Sequence, residues 1–309
     1  MPDTAASTPG TPGTHALRAM TAEVLAPKAG NVHGGASFDD ADWSSFLLSA
    51  LAVRPILDRA AELGVGRAVL DAVRATRAVA GSNTNLGMLL LIVPMAATPA
   101  GVSLRTGLPS VLHACSATDT ALIYRAIREA APGGLGQSDR GDVAQEPPSL
   151  PTVEVMGWAA PRDAVARQWC TGFSDVLERI APGLERDLSQ GVPLDLALVG
   201  AHLQQMAREP DSLIRRKLGD EAAREAQRRA RDVLDAGWPE ARGGVAAFNR
   251  LDRWLRGDGR RRNPGASADL VAAGLFATLR EGAIAWPLPW SGELPEQAPE
   301  RCGLEGAQG

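Results

Sequence analysis

The chain has 309 residues, carries a net charge of −4, and 45% of its residues are apolar. This length and apolar content allow one large hydrophobic core or two modest ones, and they exclude a chain that is disordered throughout. The absence of a basic surplus argues against a general nucleic-acid binder. The three cysteines are an odd number and lack metal-ligand spacing, which argues against a disulfide framework and indicates a reducing compartment.

Nothing in the sequence predicts a membrane or export segment. The first fifteen residues contain neither the basic start nor the apolar stretch of a signal peptide. The apolar run 86–97 has about half of the ~20 residues that a membrane span requires, and Pro94 interrupts it. We therefore expect a cytoplasmic protein that does not contact a membrane.

Apolar residues recur at three- and four-residue spacing along most of the chain, which predicts amphipathic helices. Residues 1–14 predict a flexible N-terminal tail. The predicted helices cover about 42–57, 65–79, 86–97, 117–131, 161–180, 193–206, 211–236, 244–256 and 267–282. In this scheme Asp211 caps a long helix, Ser267 caps the last one, and Gly282 ends it.

Two stretches depart from the helical pattern. Residues 132–151 are rich in Pro and Gly and predict a mobile loop, with a lid and a disordered insertion left as alternatives. Residues 151–156 alternate like a strand but are too short to found a sheet. Residues 286–309 predict a C-terminal tail. The prediction is therefore an all-α, single-domain multi-helix bundle of about ten helices over residues 15–285.

Four polar segments lie at the N-terminal ends of predicted helices. They are 27–40, 81–87, 211–217 and 263–270. In 81–87, the side chains of Asn83, Thr84 and Asn85 precede a very apolar helix, and two glycines remove bulk at the same place. This arrangement is either a cap for the helix's own amides or a site for a phosphate or a sugar.

Together the segments supply the groups that bind a magnesium–polyphosphate. The carboxylates are Asp39, Asp40, Asp163, Asp211 and Asp269, the cations are Lys28, Arg215, Arg216 and Lys217, and the amides are Asn31, Asn83, Asn85 and Asn263. The scattered histidines do not suit zinc. The sequence contains no Walker loop, no dinucleotide-binding glycine motif and no nucleophile elbow.

Each of these residues also has a structural interpretation. Asp39 and Asp40 suit a cap of the helix that begins near Trp43, and Asp163 lies where acidic residues commonly start a helix. The arginines of 215–231 suit a solvated helix face. Trp43, Trp169 and Trp254 lie on helical stripes, which favours core packing over stacking on a nucleobase.

The order of the polar segments resembles the triphosphoribosyl-dephospho-CoA synthase family. The matching residues are Pro27-Lys28-x-Gly30-Asn31-Val32-His33, Ser37-Phe38-Asp39-Asp40, Asn83-Thr84-Asn85-x-Gly87, Arg162-Asp163, Arg167-Gln168, Asp211-Ser212 with Arg215, and Asn263-Pro264-Gly265-x-Ser267-Ala268-Asp269-Leu270. The resemblance covers about residues 20–282. It implies an all-helical enzyme that transfers the ribose triphosphate of ATP to the 2′-hydroxyl of 3′-dephospho-CoA and releases adenine. The product serves as the prosthetic group of citrate lyase or malonate decarboxylase.

The resemblance and the residue chemistry give a hypothesis for the site, with Mg²⁺ as cofactor. The predicted catalytic residues are Asp39, Asp40 and Asp269, and the predicted metal ligands are Asp40, Asp211 and Asp269. The residues predicted to bind the substrate or nucleotide are Lys28, Asn31, His33, Ser37, Asn83, Thr84, Asn85, Gly87, Asp163, Arg215, Arg216, Asn263 and Ser267.

This chain departs from the family pattern at two places. The best-known synthases carry a His-Lys pair where this chain has Asn85-Leu86, and a histidine near Phe38. The Asn-Thr-Asn-Leu-Gly version resembles a branch associated with tetrahydromethanopterin, so a pterin precursor is an alternative acceptor. A non-catalytic nucleotide-binding protein is a further alternative. The expected partners are these small molecules, without nucleic acid or membrane, and a homodimer is left open.

Overall fold

The chain folds almost entirely into helices, and the computed structural model describes residues 10–36, 42–134 and 138–292. Within those ranges it contains fifteen α-helices and one π-helical segment. They hold no strand, and the pairing of His33 with Ala36 is an isolated bridge in a turn. The predicted all-α, single-domain class is confirmed.

The N-terminal half comprises eight helices. They are α1 Pro12–Leu25, α2 Trp43–Asp58, α3 Ala60–Leu63, α4 Val65–Ala80, α5 Leu86–Ala96, α6 Leu104–Ala114, α7 Ala117–Ala130 and α8 Thr152–Ala159. Helix α8 covers most of the stretch whose alternation resembled a strand, because Pro151 precedes it and the chain there packs against α9, Ala164–Cys170.

The C-terminal half continues from α9. The π-helical segment is Val176–Ile180, and the remaining helices are α10 Ala181–Ser189, α11 Leu194–Arg208, α12 Ser212–Leu218, α13 Asp220–Asp235, α14 Arg242–Arg256 and α15 Gly265–Arg280.

The structure has more helices than the expected ten for two reasons. Helices α1, α3, α6, α8 and α10 lie in stretches for which no helix was predicted, and local backbone chemistry divides two of the predicted helices. Gly219 has a φ of +87° and ends α12, so the helix that Asp211 caps does not extend to Ala236. The predicted helix 161–180 begins instead at Ala164, after the Asp163 cap, and is interrupted by positive φ angles at Gly172 and Phe173.

The ends of the domain differ from the predicted tails. Helix α1 begins at Pro12 with Thr11 as its cap, inside the stretch predicted as a tail. At the other end, Leu194 N–H donates to the carbonyl of Pro289 at 2.8 Å, and buried Asp195 accepts from the Ser291 backbone at 3.0 Å. Residues 286–292 are therefore attached to the start of α11. Gly282 follows α15 with a φ of +69°, as the predicted stop requires.

Two groups of buried apolar residues build the core. The buried residues of the larger group come from α1 to α7, α9 to α11 and α15, with partly buried residues of α8 packed against them, and those of the smaller group come mainly from α11 to α14. Helix α15 is buried along most of its length and packs against α1, α5, α10, α11 and α12. Its N-terminus therefore lies where elements of both halves of the chain converge.

A side chain from α9 completes the hydrogen bonding of α5. Pro94 lacks an N–H, so the carbonyl of Leu90 has no donor four residues along the helix. The indole Nε1 of Trp169, which is 1% exposed, donates to that carbonyl at 3.1 Å. This bond links α9 to α5, the helix that follows the polar segment 81–87.

Candidate active site

The polar segments predicted from the sequence meet at the stretch 263–269, where α15 begins. Asn31 Nδ2 donates to Asn263 Oδ1 at 3.1 Å, which joins the first and last segments. Asp211 accepts from both the backbone N–H and the hydroxyl of Ser267 at 2.8 Å, which joins the third segment to the last. The predicted convergence is observed for these segments.

Asp211 holds two helix starts together. Its Oδ1 accepts from the backbone N–H groups of Leu213 and Ile214 at 2.9 and 3.0 Å, while its Oδ2 accepts both bonds from Ser267. Burial raises the pKa of this carboxyl, and the four hydrogen bonds oppose that rise. Because each oxygen already accepts two bonds, this geometry supports a structural role and does not favour the metal-ligand role predicted for Asp211. Ser267 lies inside α15 and donates to Asp211, so it is not the cap that the sequence predicted.

The second segment reaches the site through Gly87 in the first turn of α5. A Cβ added to Gly87 would stand 2.0 Å from Oδ2 and 2.6 Å from Cγ of Asp269. Only glycine allows this approach, because any side chain would overlap the carboxylate. The start of α5, with its partial positive charge, thus lies against the Asp269 carboxylate.

Asp269 is the most strongly perturbed acid of this site. Burial raises its pKa well above the usual range, and the negative charges of Glu23, Asp211 and Asp163 raise it further, while Arg216 opposes them. A carboxyl with a raised pKa is a stronger base than an ordinary aspartate. The accumulation of carboxylates also favours the binding of a positively charged group here.

The three polar residues before α5 do not all support the same interpretation of segment 81–87, as a helix cap or as a ligand site. Asn83 Oδ1 accepts from the Leu86 backbone N–H at 3.0 Å, so Asn83 caps the helix. The Thr84 hydroxyl donates to the buried hydroxyl of Ser49 on α2 at 2.8 Å. These two residues have structural partners, which accounts for them without a ligand.

Asn85 does not act as a cap although it occupies the cap position. It is 3% exposed, and its Oδ1 accepts from the hydroxyl of Thr76 at 3.1 Å. Its amide nitrogen has no hydrogen-bond partner in the structure. A buried N–H donor without a partner is costly, which makes Asn85 the member of its segment best suited to bind a ligand.

Asp163 and Arg216 form the other side of the site. Asp163 Oδ1 caps α9 by accepting from Ala166 N–H at 3.0 Å, and its Oδ2 pairs with Arg216 at 3.4 Å. Ala164 N–H donates to the Ser212 hydroxyl at 3.2 Å, which ties the starts of α9 and α12 together. Asp163 therefore precedes the first turn of α9 as its cap, and its negative charge helps to raise the pKa of Asp269.

The two predicted phosphate-binding arginines have different surroundings. Arg216 is directed toward Asp163 and toward the Gly133 carbonyl, at 3.5 Å from its Nη2. Arg215 instead pairs with Asp220 at 3.1 Å, at the start of α13. Arg216 is therefore the cation of this pair whose charge acts on Asp269.

Lys28 does not point toward a phosphate. It is 0% exposed, and its Nζ donates to the Glu23 carboxylate at 3.0 Å, to the Glu23 carbonyl and to the Ala26 carbonyl at 3.2 Å. All three protons of its ammonium group are used in these contacts. Burial lowers the pKa of Lys28 and raises that of Glu23, and their mutual attraction opposes both shifts. The structure contradicts the prediction that Lys28 binds phosphate.

His33 forms a tight turn at the edge of the site. Its Nδ1 accepts from the Gly35 backbone at 3.2 Å. Burial lowers its pKa to about 4, and the positive charges of Arg256 and Lys28 lower it further. Arg256 also donates to the Asn31 carbonyl at 2.7 Å, so α14 holds this part of the chain in place.

Three further residues shape the site and were not predicted from the sequence. Thr76 orients Asn85, Arg256 secures the 31–36 turn, and Glu23 neutralises Lys28. Glu23 carried a usable signal, since it lies on the buried stripe of α1 with Ala16 and Met20, where an acid requires a partner. Arg256 carried none, because its partner Asn31 is 225 residues away. Thr76 carried none, because it is one of several small buried residues on α4.

Three predicted site residues, Ser37, Asp39 and Asp40, lie outside the described residues. Within the described part of the chain, no group of three or more His, Cys, Asp or Glu side chains is placed to hold a metal ion. Across those same residues, no helix combines the length and apolar character that a membrane crossing requires.

Comparison with known proteins identifies the enzyme class. Residues 9–287 match the CitG family, described as ATP:dephospho-CoA triphosphoribosyl transferase. The chain belongs to this family. The fold is also similar to the crystal structure of a protein from Archaeoglobus fulgidus, described as a candidate triphosphoribosyl-dephospho-CoA synthase. The TM-score is 0.59 at 25% identity, covering 77% of this chain and 100% of that one. No functionally curated protein matches the chain significantly.

Family membership makes the protein a transferase, and the resemblance found in the sequence is confirmed. The CitG family's description points to triphosphoribosyl transfer from ATP to dephospho-CoA. Of the segments that carried the resemblance, those that contain Asn31, Gly87, Asp211 and Asn263 meet at the start of α15.

Proposed function

We propose that this CitG family member transfers the triphosphoribosyl group of ATP to the 2′-hydroxyl of 3′-dephospho-CoA and releases adenine. The observation that carries the proposal is the placement of Asp269 against Gly87, within a site built by segments from the whole chain. The family assignment supports the substrates, and the perturbed carboxyl supports the reaction type.

The chemistry is a glycosyl transfer. The bond between adenine and C1′ of the ribose breaks, the acceptor oxygen bonds to C1′, and the proton of the acceptor hydroxyl is taken up by a base. The departing adenine gains a proton. Positive charge develops on the sugar in the transition state, and a nearby carboxylate stabilises it. The triphosphate stays on the ribose and serves to position it.

Among the described residues, Asp269 is the candidate for the base or for the carboxylate beside the sugar. Its raised pKa brings the carboxyl nearer to neutral pH, which suits a group that accepts a proton in one step and returns it later. Arg216 supplies a cation for the phosphates, and the unpartnered amide N–H of Asn85 supplies a donor for the ribose or a phosphate. Asp39 and Asp40 remain in the proposal as further catalytic carboxylates.

Magnesium fits this donor set in a limited way. Mg²⁺ takes one or two carboxylates and completes its shell with water and substrate phosphates, so it does not need a three-residue protein site. Asp269 fits that requirement, Asp40 is proposed alongside it, and Asp211 does not fit because its oxygens already accept four hydrogen bonds. When bound, the ion would neutralise charge on the triphosphate.

A second acceptor, a pterin precursor, is favoured by one observation. At the position where better-known synthases carry a histidine, this chain buries a neutral Asn85 and orients it through Thr76. A neutral amide there changes what the pocket recognises while leaving the Asp269 region intact. A non-catalytic nucleotide-binding protein is the alternative from another class.

The experiment is a measurement of free adenine. The purified chain is incubated with ATP and Mg²⁺, with 3′-dephospho-CoA or a pterin alcohol as acceptor, and adenine is quantified by chromatography. We expect adenine to form only when an acceptor is present. Asp269→Asn and Asp40→Asn should lower the rate by at least about a hundredfold, whereas Asp139→Asn, on an exposed loop residue, serves as the control.

The other outcomes separate the alternatives. Binding of ATP without adenine release supports the nucleotide-binding protein, and no ATP-dependent rise in melting temperature argues against a nucleotide site altogether. Full activity in Asp269→Asn would overturn the assigned role of that residue.

A further inference from the structure

Two cationic stretches of the chain meet beside the start of α15. The ammonium group of Lys217, at the end of α12, donates to the backbone carbonyl of Arg260 at 3.2 Å. This contact brings Arg215, Arg216 and Lys217 next to the connection between α14 and α15, which contains Arg260, Arg261 and Arg262. The first of these stretches was predicted from the sequence as a source of cations for a phosphate, and the second was not.

The local charge is opposite to that of the whole protein. The stretches 211–220 and 252–263 contain eight lysines and arginines and four aspartates, while the chain as a whole carries −4. The arginine-rich connection leads directly into Asn263, which bonds to Asn31 in the site. Such a local excess beside the site concentrates anionic ligands.

Several of these cations are held in place by the protein. The guanidinium of Arg262 lies over the Trp254 ring, 4.5 Å from its centroid, and donates to the Trp254 carbonyl at 2.9 Å. The guanidinium of Arg229 lies over the same ring at 4.8 Å. Arg256 is fixed by Asp252 at 2.9 Å and by the Asn31 carbonyl. Preordered cations lose less conformational entropy when an anion binds.

The neighbouring turn shows the effect of this charge. Arg256 contributes to the lowered pKa of His33, after the larger effect of burial. A positive charge on His33 is therefore disfavoured in part by the same group of cations.

The proposed reaction needs two phosphate-bearing molecules at once. The ribose of the donor has to reach Asp269, which places its triphosphate near Arg216, since that cation acts on Asp269. A second polyphosphate in the same place would repel the first, so it requires cations of its own. The stretch 260–262 provides them at the edge of the site.

We propose that Lys217 and the arginines of the stretch 260–262 form a second anion subsite, which binds the diphosphate of the acceptor. The assignment rests on the proposed function. It names the acceptor's chemical class as a molecule that carries a diphosphate, and it separates the acceptor's phosphate contacts from those of the donor.

The test compares two matched arginine variants. Arg261 is 63% exposed and pairs with Asp258 at 3.6 Å, whereas Arg105, near the start of α6, is 68% exposed and pairs with Glu178 at 3.3 Å. Arg261→Ala should raise the KM for the acceptor about tenfold, with the KM for ATP unchanged, and Arg105→Ala should change neither. Unchanged acceptor KM in both Arg261→Ala and Lys217→Ala would overturn the subsite, as would a rise confined to the KM for ATP.

A binding measurement keeps the inference independent of catalysis. Inorganic pyrophosphate is titrated calorimetrically into the wild-type chain, Arg261→Ala and Arg105→Ala. Weaker binding in Arg261→Ala alone supports the subsite even if no adenine is ever released, an outcome that would refute only the proposed reaction. Equal affinity in all three proteins refutes the subsite.

Discussion

Gly87 approaches Asp269 so closely that a methyl group at its Cα would stand 2.0 Å from a carboxylate oxygen. Gly87→Ala should therefore displace either α5 or Asp269, lower turnover by at least about tenfold and cost about 1–3 kcal/mol of folding free energy. Adenine release and urea unfolding measure the two effects.

Gly200→Ala is the matched control for that substitution. Gly200 lies within α11, and a Cβ there would meet nothing within 4 Å. We expect it to leave turnover unchanged and to stabilise the fold by about 0.5–1 kcal/mol. A Gly87→Ala protein as active and as stable as the wild type would contradict the close approach.

The bond from Trp169 to the Leu90 carbonyl exists because Pro94 cannot donate. Trp169→Phe keeps an aromatic ring but leaves that buried carbonyl without a partner, so we expect a loss of about 1–3 kcal/mol. In a Pro94→Ala background, the new N–H can bond to the carbonyl of Leu90, so Trp169→Phe should lower the free energy of unfolding by less. A double-mutant cycle by urea unfolding measures the difference, and additive effects would refute the explanation.

Thr76 decides which end of the Asn85 amide is free. Thr76→Val removes the donated hydrogen bond without changing the shape, so Asn85 loses its fixed orientation. We expect a severalfold higher KM for one substrate and a stability loss of about 1–2 kcal/mol, with Thr76→Ser close to the wild type. If only stability falls and steady-state kinetics stay normal, Asn85 does not contact a substrate.

His202 makes the fold sensitive to acid. Burial, with a smaller contribution from Lys28, lowers its pKa to about 3 from the ordinary 6.5, and its Nδ1 has no hydrogen-bond partner. Between these two values the unfolded chain binds a proton that the folded chain does not. The contribution of neutral His202 to the free energy of unfolding is therefore fully present above pH 6.5 and is lost as the pH falls toward 3.

The loss from His202 should reach about 2 kcal/mol between pH 7 and pH 5. His202→Leu should reduce the pH dependence of the unfolding free energy by that amount, as measured in urea at both pH values. His113→Asn, at an exposed position on α6, is the control variant. An unchanged pH dependence in His202→Leu would show that another group dominates.

The spacing of apolar residues predicted most helices, because one buried stripe per helix is a local property of the sequence. It could not place the break at Gly219, where the backbone adopts a positive φ, nor the docking of residues 286–292 onto Asp195. Both depend on what the chain meets after it folds. Trp169 was correctly expected in the core, but its hydrogen bond to α5 was not foreseeable from spacing.

For the site, the types of residue predicted which groups come together, but they could not predict the direction in which each side chain points. Asn31, Asn263, Asp211 and Ser267 meet as the motif order implied. The prediction for Lys28 was wrong because a lysine in a polar segment gives the same sequence pattern whether its side chain faces solvent or a buried acid. Its partner Glu23 lies on the preceding helix. Asp211 was predicted as a metal ligand because a sequence cannot show that its carboxylate oxygens already accept hydrogen bonds within the protein.

The sequence alone determined the helical class, the family and the set of polar groups proposed to bind a sugar polyphosphate, because these follow from periodicity and from motifs read in order. The tertiary structure alone decided which groups face one another. Only packing brings the start of α5 against Asp269, turns Lys28 inward and places Lys217 beside the arginines of the α14–α15 connection. Such contacts depend on distances between residues far apart in the chain, and local sequence does not encode those distances.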